Sequence, residues 1–244
     1  MEELLKKMKN CSRLMELEGS IPYWESRIPE LRNRIREMQW NLRQKEQALA
    51  ACENPTLFQR LLGRAEEKKK LLNGQLLQLT AARMAAQWEL EGLEQEIGEG
   101  KRERLDLADS REVYAAARAE AILTPAQESR LMMEEISVFV PLAMETAWRI
   151  LDALEEARPW MRRDTVGQNS RKTECLERAE EGARQLCDIL SLLPEGIAPV
   201  GSYLSDPHAY LWDVNSEEEQ LERLHRAQEQ IRTLQNQLKL VLGE

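Results

Sequence analysis

Apolar side chains recur along most of this chain at alternating steps of three and four residues. The longest such stripe lies between Asn54 and Ile97 and contains Phe58, Leu62, Ala65, Leu72, Leu76, Leu79, Ala86, Leu90, Leu93 and Ile97. Lys69 and Arg83 occupy the two positions that the repeat would otherwise leave blank. A heptad stripe of this kind predicts an α-helix whose apolar face needs a partner helix to cover it.

A second stripe precedes the first along the chain. It contains Ile28, Leu31, Ile35, Met38, Leu42, Leu49 and Cys52, with Lys45 at its one polar position. Asn54-Pro55 separates the two stripes, and a residue before proline is pushed out of the helical region. The sequence therefore predicts an antiparallel hairpin that turns at Asn54-Pro55 and brings Leu42 towards Leu72.

Glycine and proline suggest further breaks in these helices. Gly19-Ser20-Ile21-Pro22 predicts the end of a short first helix over residues 2–18. Gly98 and Gly100 weaken the longest stripe at its far end, since each glycine costs a helix about 1 kcal/mol relative to alanine. We interpret that pair as a hinge between two helices within residues 55–123, although one continuous helix is the alternative.

The clearest boundary follows residue 123. Thr124, Pro125 and Gln127 form the pattern of a capping box with proline in the first turn, which predicts a helix over residues 125–157. Apolar side chains cover most of that helix's circumference, and Pro141 within it predicts a kink. Residues 171–193 and 217–242 predict two more helices, each with a one-sided stripe, separated by an aromatic segment.

These patterns together predict an all-α protein. An elongated antiparallel coiled-coil hairpin region over residues 1–123 is followed by a small C-terminal helical bundle over residues 124–244, with an aromatic loop segment at residues 194–215. Charged residues make up 32% of the chain, which suits long exposed helices.

Charge and cysteine content bear on the location and partners of the protein. The formal net charge is -9, which does not favour non-specific binding to nucleic acid or to anionic membranes. The sequence lacks a signal-peptide pattern and any run of eighteen apolar residues, so we expect no transmembrane helix. Four cysteines without paired spacing indicate reduced thiols and a cytoplasmic protein.

Few residues offer catalytic or metal-binding chemistry. The chain has two histidines, and Glu222-x-x-His225 matches only one of the two such motifs that a bundle needs to hold a pair of metal ions. No nucleophile elbow, phosphate-binding loop or dinucleotide-binding glycine pattern is present. We therefore predict a non-enzymatic protein with no cofactor and no metal.

Four places are candidates for partner binding. In the predicted hairpin tip, Leu57 to Arg64, the apolar residues Phe58, Leu61 and Leu62 would enter a membrane surface or a partner's groove, or would close the hairpin core. The basic loop, Arg158 to Lys172, carries Trp160, Arg162 and Arg163 and would grip a phosphate or a stacked base, or be a solvated loop with the tryptophan tucked against the bundle.

The other two candidates lie in the predicted bundle. Tyr203, Tyr210 and Trp212 would form a rim for a partner or pack over the bundle end. On the 125–157 helix, Val138 and Leu142 belong to an apolar surface that two one-sided helices would leave partly exposed, which predicts a homodimer or another partner there.

The leading functional hypothesis is a non-enzymatic intracellular scaffold or adaptor that acts through helix–helix contacts with protein partners. The alternative is a coiled-coil protein associated peripherally with membrane or nucleic acid through the hairpin tip or the basic loop. An enzyme or metal protein of a type without a sequence signature is the third hypothesis.

Overall fold

A computed structural model describes residues 1–53, 64–160, 166–194, 197 and 217–243 of the chain. Within these ranges the regular elements are helices, and no strand occurs. The all-α prediction is confirmed, and so are the antiparallel hairpin and the helical bundle. In chain order the elements are α1 (Glu2–Glu53), α2 (Arg64–Asp106), α3 (Ser110–Glu120), α4 (Pro125–Ala157), a 3₁₀ turn (Arg158–Trp160), α5 (Val166–Ser191) and α6 (Glu217–Leu242).

The first helix does not break where the sequence predicted. Helix α1 is continuous through Gly19, Pro22 and Pro29. Gly19 instead serves close packing, because a Cβ atom there would lie 2.1 Å from Nη1 of Arg149. Ile21 beside it is buried, so packing on this segment outweighs the local cost of glycine and proline.

The break in the second long helix also lies elsewhere than predicted. Helix α2 continues through Gly98 and Gly100 and ends at Asp106, and a turn at residues 107–109 leads into α3. The Nζ atom of Lys101 lies 2.6 Å from a carboxylate oxygen of Glu25 on α1, and Gly100 is buried. Contact with α1 therefore supports the helix across the two glycines, and the hinge prediction is wrong.

The chain divides into two compact units. The first comprises Met1–Ser20 with Glu103–Glu244, and the second comprises Ile21–Arg102. These units are divided after Ser20 and after Arg102. The domain boundary that the sequence predicts between residues 123 and 124 stays a prediction.

The second unit, which we call the hairpin unit, is a pair of antiparallel helices. Across the pair, Glu25 contacts Lys101, Arg32 contacts Glu94 and Lys45 contacts Gln75. As the residue number increases along α1, the number of its partner on α2 decreases, so the two helices are antiparallel. The predicted stripes line the contact between the helices, with Leu31, Ile35, Leu42, Leu72, Ala86 and Ile97 buried. The predicted turn at Asn54-Pro55 lies outside the described residues.

The first unit, which we call the bundle unit, has its core around α4 and α5. These helices pack closely at Gly182, where an added Cβ atom would lie 2.8 Å from Cγ1 of Ile150. Helix α6 packs on α4. Leu4, Met8 and Cys11 from the start of α1 and Tyr114 from α3 complete the same core.

Helix α4 begins as predicted. The Thr124 hydroxyl accepts a hydrogen bond from the Gln127 backbone N–H, and the Gln127 side chain accepts one from the Thr124 N–H at 3.0 Å. Pro125 occupies the first turn, where its missing N–H leaves no helical bond unmade. This capping box fixes the start of the central helix of the bundle unit.

Candidate functional site

Most of the side chains that the sequence singled out lie outside the described residues. This holds for Phe58, Leu61 and Leu62 of the hairpin tip, for Arg162 and Arg163 of the basic loop, and for Tyr203, Tyr210 and Trp212 of the aromatic segment. The roles suggested for these residues stay predictions.

Leu142 and Val138 lie within the bundle unit rather than on an open face. Leu142 is 6% exposed and belongs to the core, and Val138 is partly buried against it. The sequence reasoning counted only the two later helices as cover for α4 and left out the start of α1. A docking surface on α4 stays a prediction, but its exposed apolar side chains are Met132, Met133 and Trp148.

Trp160 of the basic loop contacts a cation of its own chain. The guanidinium carbon of Arg171 lies 5.5 Å from the centroid of the Trp160 ring, a cation–π distance. One face of the ring therefore contacts Arg171, which belongs to the basic loop that the sequence predicted to bind a phosphate. In the described part of the loop, the Trp160 ring and the Arg171 guanidinium thus contact each other.

The hairpin unit exposes an apolar surface that the sequence analysis missed. Leu77 is 74% exposed and Trp88 is 65% exposed, and Leu71 and Met84 are exposed as well. These side chains lie on α2 on the side opposite its contact with α1, because helical geometry places them about half a turn from that stripe. We define the outer face of α2 as this exposed surface: Lys70, Leu71, Gly74, Leu77, Gln78, Ala81, Met84, Ala85, Trp88, Glu91 and Gly92.

The outer face of α2 has few charges. From Leu71 to Trp88 the only charged residue is Arg83, which lies in the stripe that faces α1, whereas 32% of the whole chain is charged. An exposed helix of a soluble protein normally places charged residues on its solvent side. The sequence already contains this signal, because Leu71 and Leu77 lie outside the heptad stripe that faces α1.

Both ends of the outer face carry charge, and the signs differ. Lys70 lies at its start, after Glu66, Glu67, Lys68 and Lys69, and Glu91 lies near its other end between Glu89 and Glu94. Glu89 and Glu94 form cross-helix ion pairs with arginines of α1. Among the ion pairs of the described residues, none uses Lys70 or Glu91. The surface is therefore apolar in the middle, basic at one end and acidic at the other.

The bundle unit contains a buried polar network. The Tyr114 hydroxyl donates to Glu135 Oε1 at 2.5 Å, and Arg118 Nε donates to the same oxygen at 3.0 Å. Arg118 also pairs with Glu128. Burial, and then the hydrogen bond to Glu135, raise the pKa of Tyr114 above its ordinary range. The phenol stays protonated and donates to a carboxylate that already has a cation, which describes a satisfied structural cluster.

A second polar cluster ties α1 to the bundle unit. Arg111 pairs with Glu18 and with Asp188, in each case at 2.8 Å. Gln185 donates to the Glu18 carbonyl oxygen at 3.1 Å, and Arg149 donates to the Ser20 hydroxyl at 2.9 Å. Burial raises the pKa of Glu18 despite the nearby arginine. These contacts hold residues 18–20 against the helices of the same unit.

The four cysteines are free thiols. Burial raises the pKa of Cys11 to about 11, and it also raises the pKa of Cys175 and of Cys187. A thiol with a raised pKa is a poor nucleophile and a poor metal ligand at neutral pH. Cys11 is fully buried in the core, Cys175 is buried with its sulfur near Arg178 and Glu156, and Cys187 is partly buried.

Among the described residues, no group of three or more histidine, cysteine, aspartate or glutamate side chains lies close enough to hold a metal ion. None of the helices in those ranges is both long and apolar enough to cross a membrane.

Comparison with known proteins also returns no relative. No family model, no curated protein and no solved structure matches this chain.

Proposed function

We propose that this protein is a non-enzymatic scaffold or adaptor that acts by binding another protein helix. The observation that carries the proposal is the outer face of α2, where Leu71, Leu77, Met84 and Trp88 are exposed. Large apolar side chains scattered singly are common on protein surfaces, but a contiguous stripe of them marks an interaction site.

The form of this surface favours a helix as the ligand. Its residues recur at steps of three and four, so they make a straight apolar stripe with small residues, Gly74, Ala81 and Ala85, between the large ones. A second amphipathic helix would insert its side chains at the small residues and cover the large ones. Trp88 would be the main anchor, since tryptophan is enriched among the residues that dominate binding energy.

We place this function in the cytoplasm. The supporting observation is the state of the cysteines, all four of which are free. Proteins of oxidising compartments commonly pair their cysteines, whereas cytoplasmic proteins keep them reduced. Mass spectrometry of alkylated protein from its native cells tests this assignment, with four modified thiols expected without prior reduction.

Proximity labelling in native cells tests the scaffold function. The full chain, fused to a labelling enzyme, is compared with the variant Leu77→Glu/Trp88→Glu. Both substitutions place a charge at a side chain that is mostly exposed, so the hairpin keeps its helicity. We expect a set of proteins that the unmodified chain labels and the variant does not.

The matched control is Leu105→Glu. Leu105 is exposed on the same helix but lies beyond the outer face as defined above. The Leu105→Glu variant should label the same proteins as the unmodified chain. If the double variant and the unmodified chain label the same set, the outer face is not the binding surface and the proposal fails.

The described residues give no specific support to the membrane or nucleic-acid alternative. Its hairpin tip lies outside them, and the Trp160 ring already contacts Arg171. We therefore put forward one function and retain vesicle and DNA binding as control measurements.

A further inference from the structure

We infer that the helix bound by the outer face of α2 is the same face of α2 in a second copy of this chain, packed antiparallel. This inference rests on the proposed function, because it names the partner of the surface proposed there. It commits to one register, in which a twofold axis passes beside Ala81.

The first argument is the symmetry of the sequence along the outer face. Lys70, Leu77, Met84 and Glu91 form one row of residues seven apart, and all four are exposed. Antiparallel packing about this axis beside Ala81 brings Leu77 of one copy against Met84 of the other. The same operation brings Lys70 of one copy to Glu91 of the other, so each contact occurs twice, as twofold symmetry requires.

A neighbouring row of residues has the same symmetry, and its side chains are complementary in size. Gly74, Ala81 and Trp88 are also seven apart. The axis brings Ala81 against Ala81 of the second copy, which lets the two helices approach closely. It also brings the large Trp88 of each copy over Gly74 of the other, so the bulkiest side chain lies over the residue that has none.

Packing among the described residues does not require a glycine at position 74. A Cβ atom added there would meet nothing within 4 Å, and the backbone of this helix is regular. Glycine inside a helix costs about 1 kcal/mol relative to alanine. Close approach of another molecule is a physical reason for a glycine that the chain's own packing leaves unexplained.

Charge selects a second copy in the antiparallel orientation. A parallel pair in register would put Lys70 of each copy beside Lys70 of the other, and would likewise bring the two Glu91 side chains together. The antiparallel pair puts Lys70 of each copy beside Glu91 of the other. Both residues are exposed and form none of the ion pairs seen among the described residues, and the Glu91 carboxylate accepts a hydrogen bond from Gln87 of its own helix.

The size of the surface sets the expected strength of association. One face of about six helical turns lies below the standard interface of about 800 Å² per partner. We therefore expect a dimer that forms at micromolar concentration and dissociates on dilution.

Analytical ultracentrifugation of the full chain over 1–200 µM tests the dimer and its register. This range is on the order of the micromolar affinity expected for such an interface. Lys70→Glu and Glu91→Lys should each weaken self-association, by about tenfold, because two favourable pairs become two repulsive ones. An equimolar mixture of the two variants should associate about as well as the unmodified chain, because the mixed dimer pairs opposite charges at both sites.

Cross-linking tests the axis directly. Under mild oxidation, Ala81→Cys should form a disulfide-linked dimer, since the inference places the two copies of residue 81 in contact. The matched control is Gln95→Cys, an exposed position on the same helix that should cross-link far less. Circular dichroism and thermal melting of each variant establish that the hairpin is still folded.

The outcomes separate this inference from the function on which it rests. Weaker association of each charge variant, recovery in the mixture and a cross-link at residue 81 support the antiparallel dimer. A monomer at 200 µM, or charge variants that associate like the unmodified chain, overturns it. If in that case Leu77→Glu/Trp88→Glu still loses labelled proteins in cells, the scaffold stands with a different partner; if it loses none, both fail.

Discussion

Glycine shows how the same residue serves different purposes along this chain. Gly182 is required by packing, because an added Cβ atom would lie 2.8 Å from Cγ1 of Ile150 on the neighbouring helix. Gly98 has open space around its Cα atom and lies within a continuous helix. The sequence analysis interpreted Gly19, Gly98 and Gly100 alike as weak points of helices, whereas neighbours in space decide whether a glycine costs or contributes stability.

Alanine substitutions at these two glycines should change stability in opposite directions. Gly98→Ala should raise the free energy of unfolding by about 0.5–1 kcal/mol, because alanine is the better helix former. Gly182→Ala should lower it by about 1 kcal/mol or more, because Ile150 is branched and adapts poorly to overpacking. Urea denaturation of both variants beside the unmodified protein measures the two signs, and equal shifts would contradict the packing at Gly182.

Alkaline pH should destabilise the bundle unit through Cys11. Burial raises the pKa of this thiol from 9.0 to about 11, so the folded state holds the proton more tightly than the unfolded state does. The stabilisation is complete below pH 9 and is lost as the pH rises towards 11, and it amounts to about 1–2 kcal/mol. The raised pKa of Tyr114 acts in the same direction.

Urea denaturation between pH 7.5 and 10.5 checks this dependence. Cys11→Ala should show a smaller loss of stability with rising pH than the unmodified chain. Met133→Ala, at an exposed position that carries no titrating group, is the control and should leave the slope unchanged. Identical slopes for all three proteins would show that Cys11 does not contribute.

At the scale of elements, helix α1 illustrates how tertiary contact overrides local preference. Pro22 and Pro29 each lack the N–H that a helix needs, and the proline ring crowds the preceding turn. The helix nevertheless runs through both of them, with Ile21 and Leu31 buried nearby. Burial of these side chains against the rest of the chain outweighs two unfavourable residues.

Replacing these prolines should stabilise the protein. Pro22→Ala and Pro29→Ala should each raise the free energy of unfolding by about 1–3 kcal/mol, since alanine restores a backbone hydrogen bond and relieves the ring contact. Pro125→Ala is the matched control, because a proline in the first turn of α4 leaves no hydrogen bond unmade. Calorimetry of the three variants tests this, and a loss of stability at residues 22 and 29 would show that the prolines serve the fold.

At the scale of the whole molecule, the core of the bundle unit is assembled from distant parts of the chain. Met8 on α1 is fully buried in the same core as Phe139 and Ala143 of α4, which come more than 120 residues later in the sequence. The first twenty residues therefore belong to the bundle unit, although the same helix continues into the hairpin unit.

Truncating Met8 should loosen the helices of the bundle. Met8→Ala should lower the free energy of unfolding by about 2–5 kcal/mol, the usual cost of a cavity of this size. Hydrogen exchange followed by mass spectrometry should show faster exchange in peptides of α4. Met133→Ala serves as the control, because that side chain is mostly exposed and its loss leaves no cavity. Unchanged exchange in α4 of the Met8 variant would mean that α1 does not support the bundle core.

The sequence by itself determined which segments are helical and which stripes pair in the hairpin. The heptad rows around Leu42 and Leu72, and the capping box at Thr124, are local patterns that need no knowledge of the fold. Periodicity reports which face of a helix prefers burial, and that preference is a property of nearby residues alone.

Only the tertiary structure decided where each helix ends and which apolar faces remain exposed. Helix α1 continues through Gly19 and Pro22, and Leu142 is buried in a core that also contains residues from the start of the chain. The same contacts covered one stripe of α2 and left Leu77 and Trp88 exposed on the other side. Burial depends on the surfaces that long-range packing supplies, and a periodic pattern does not specify those surfaces.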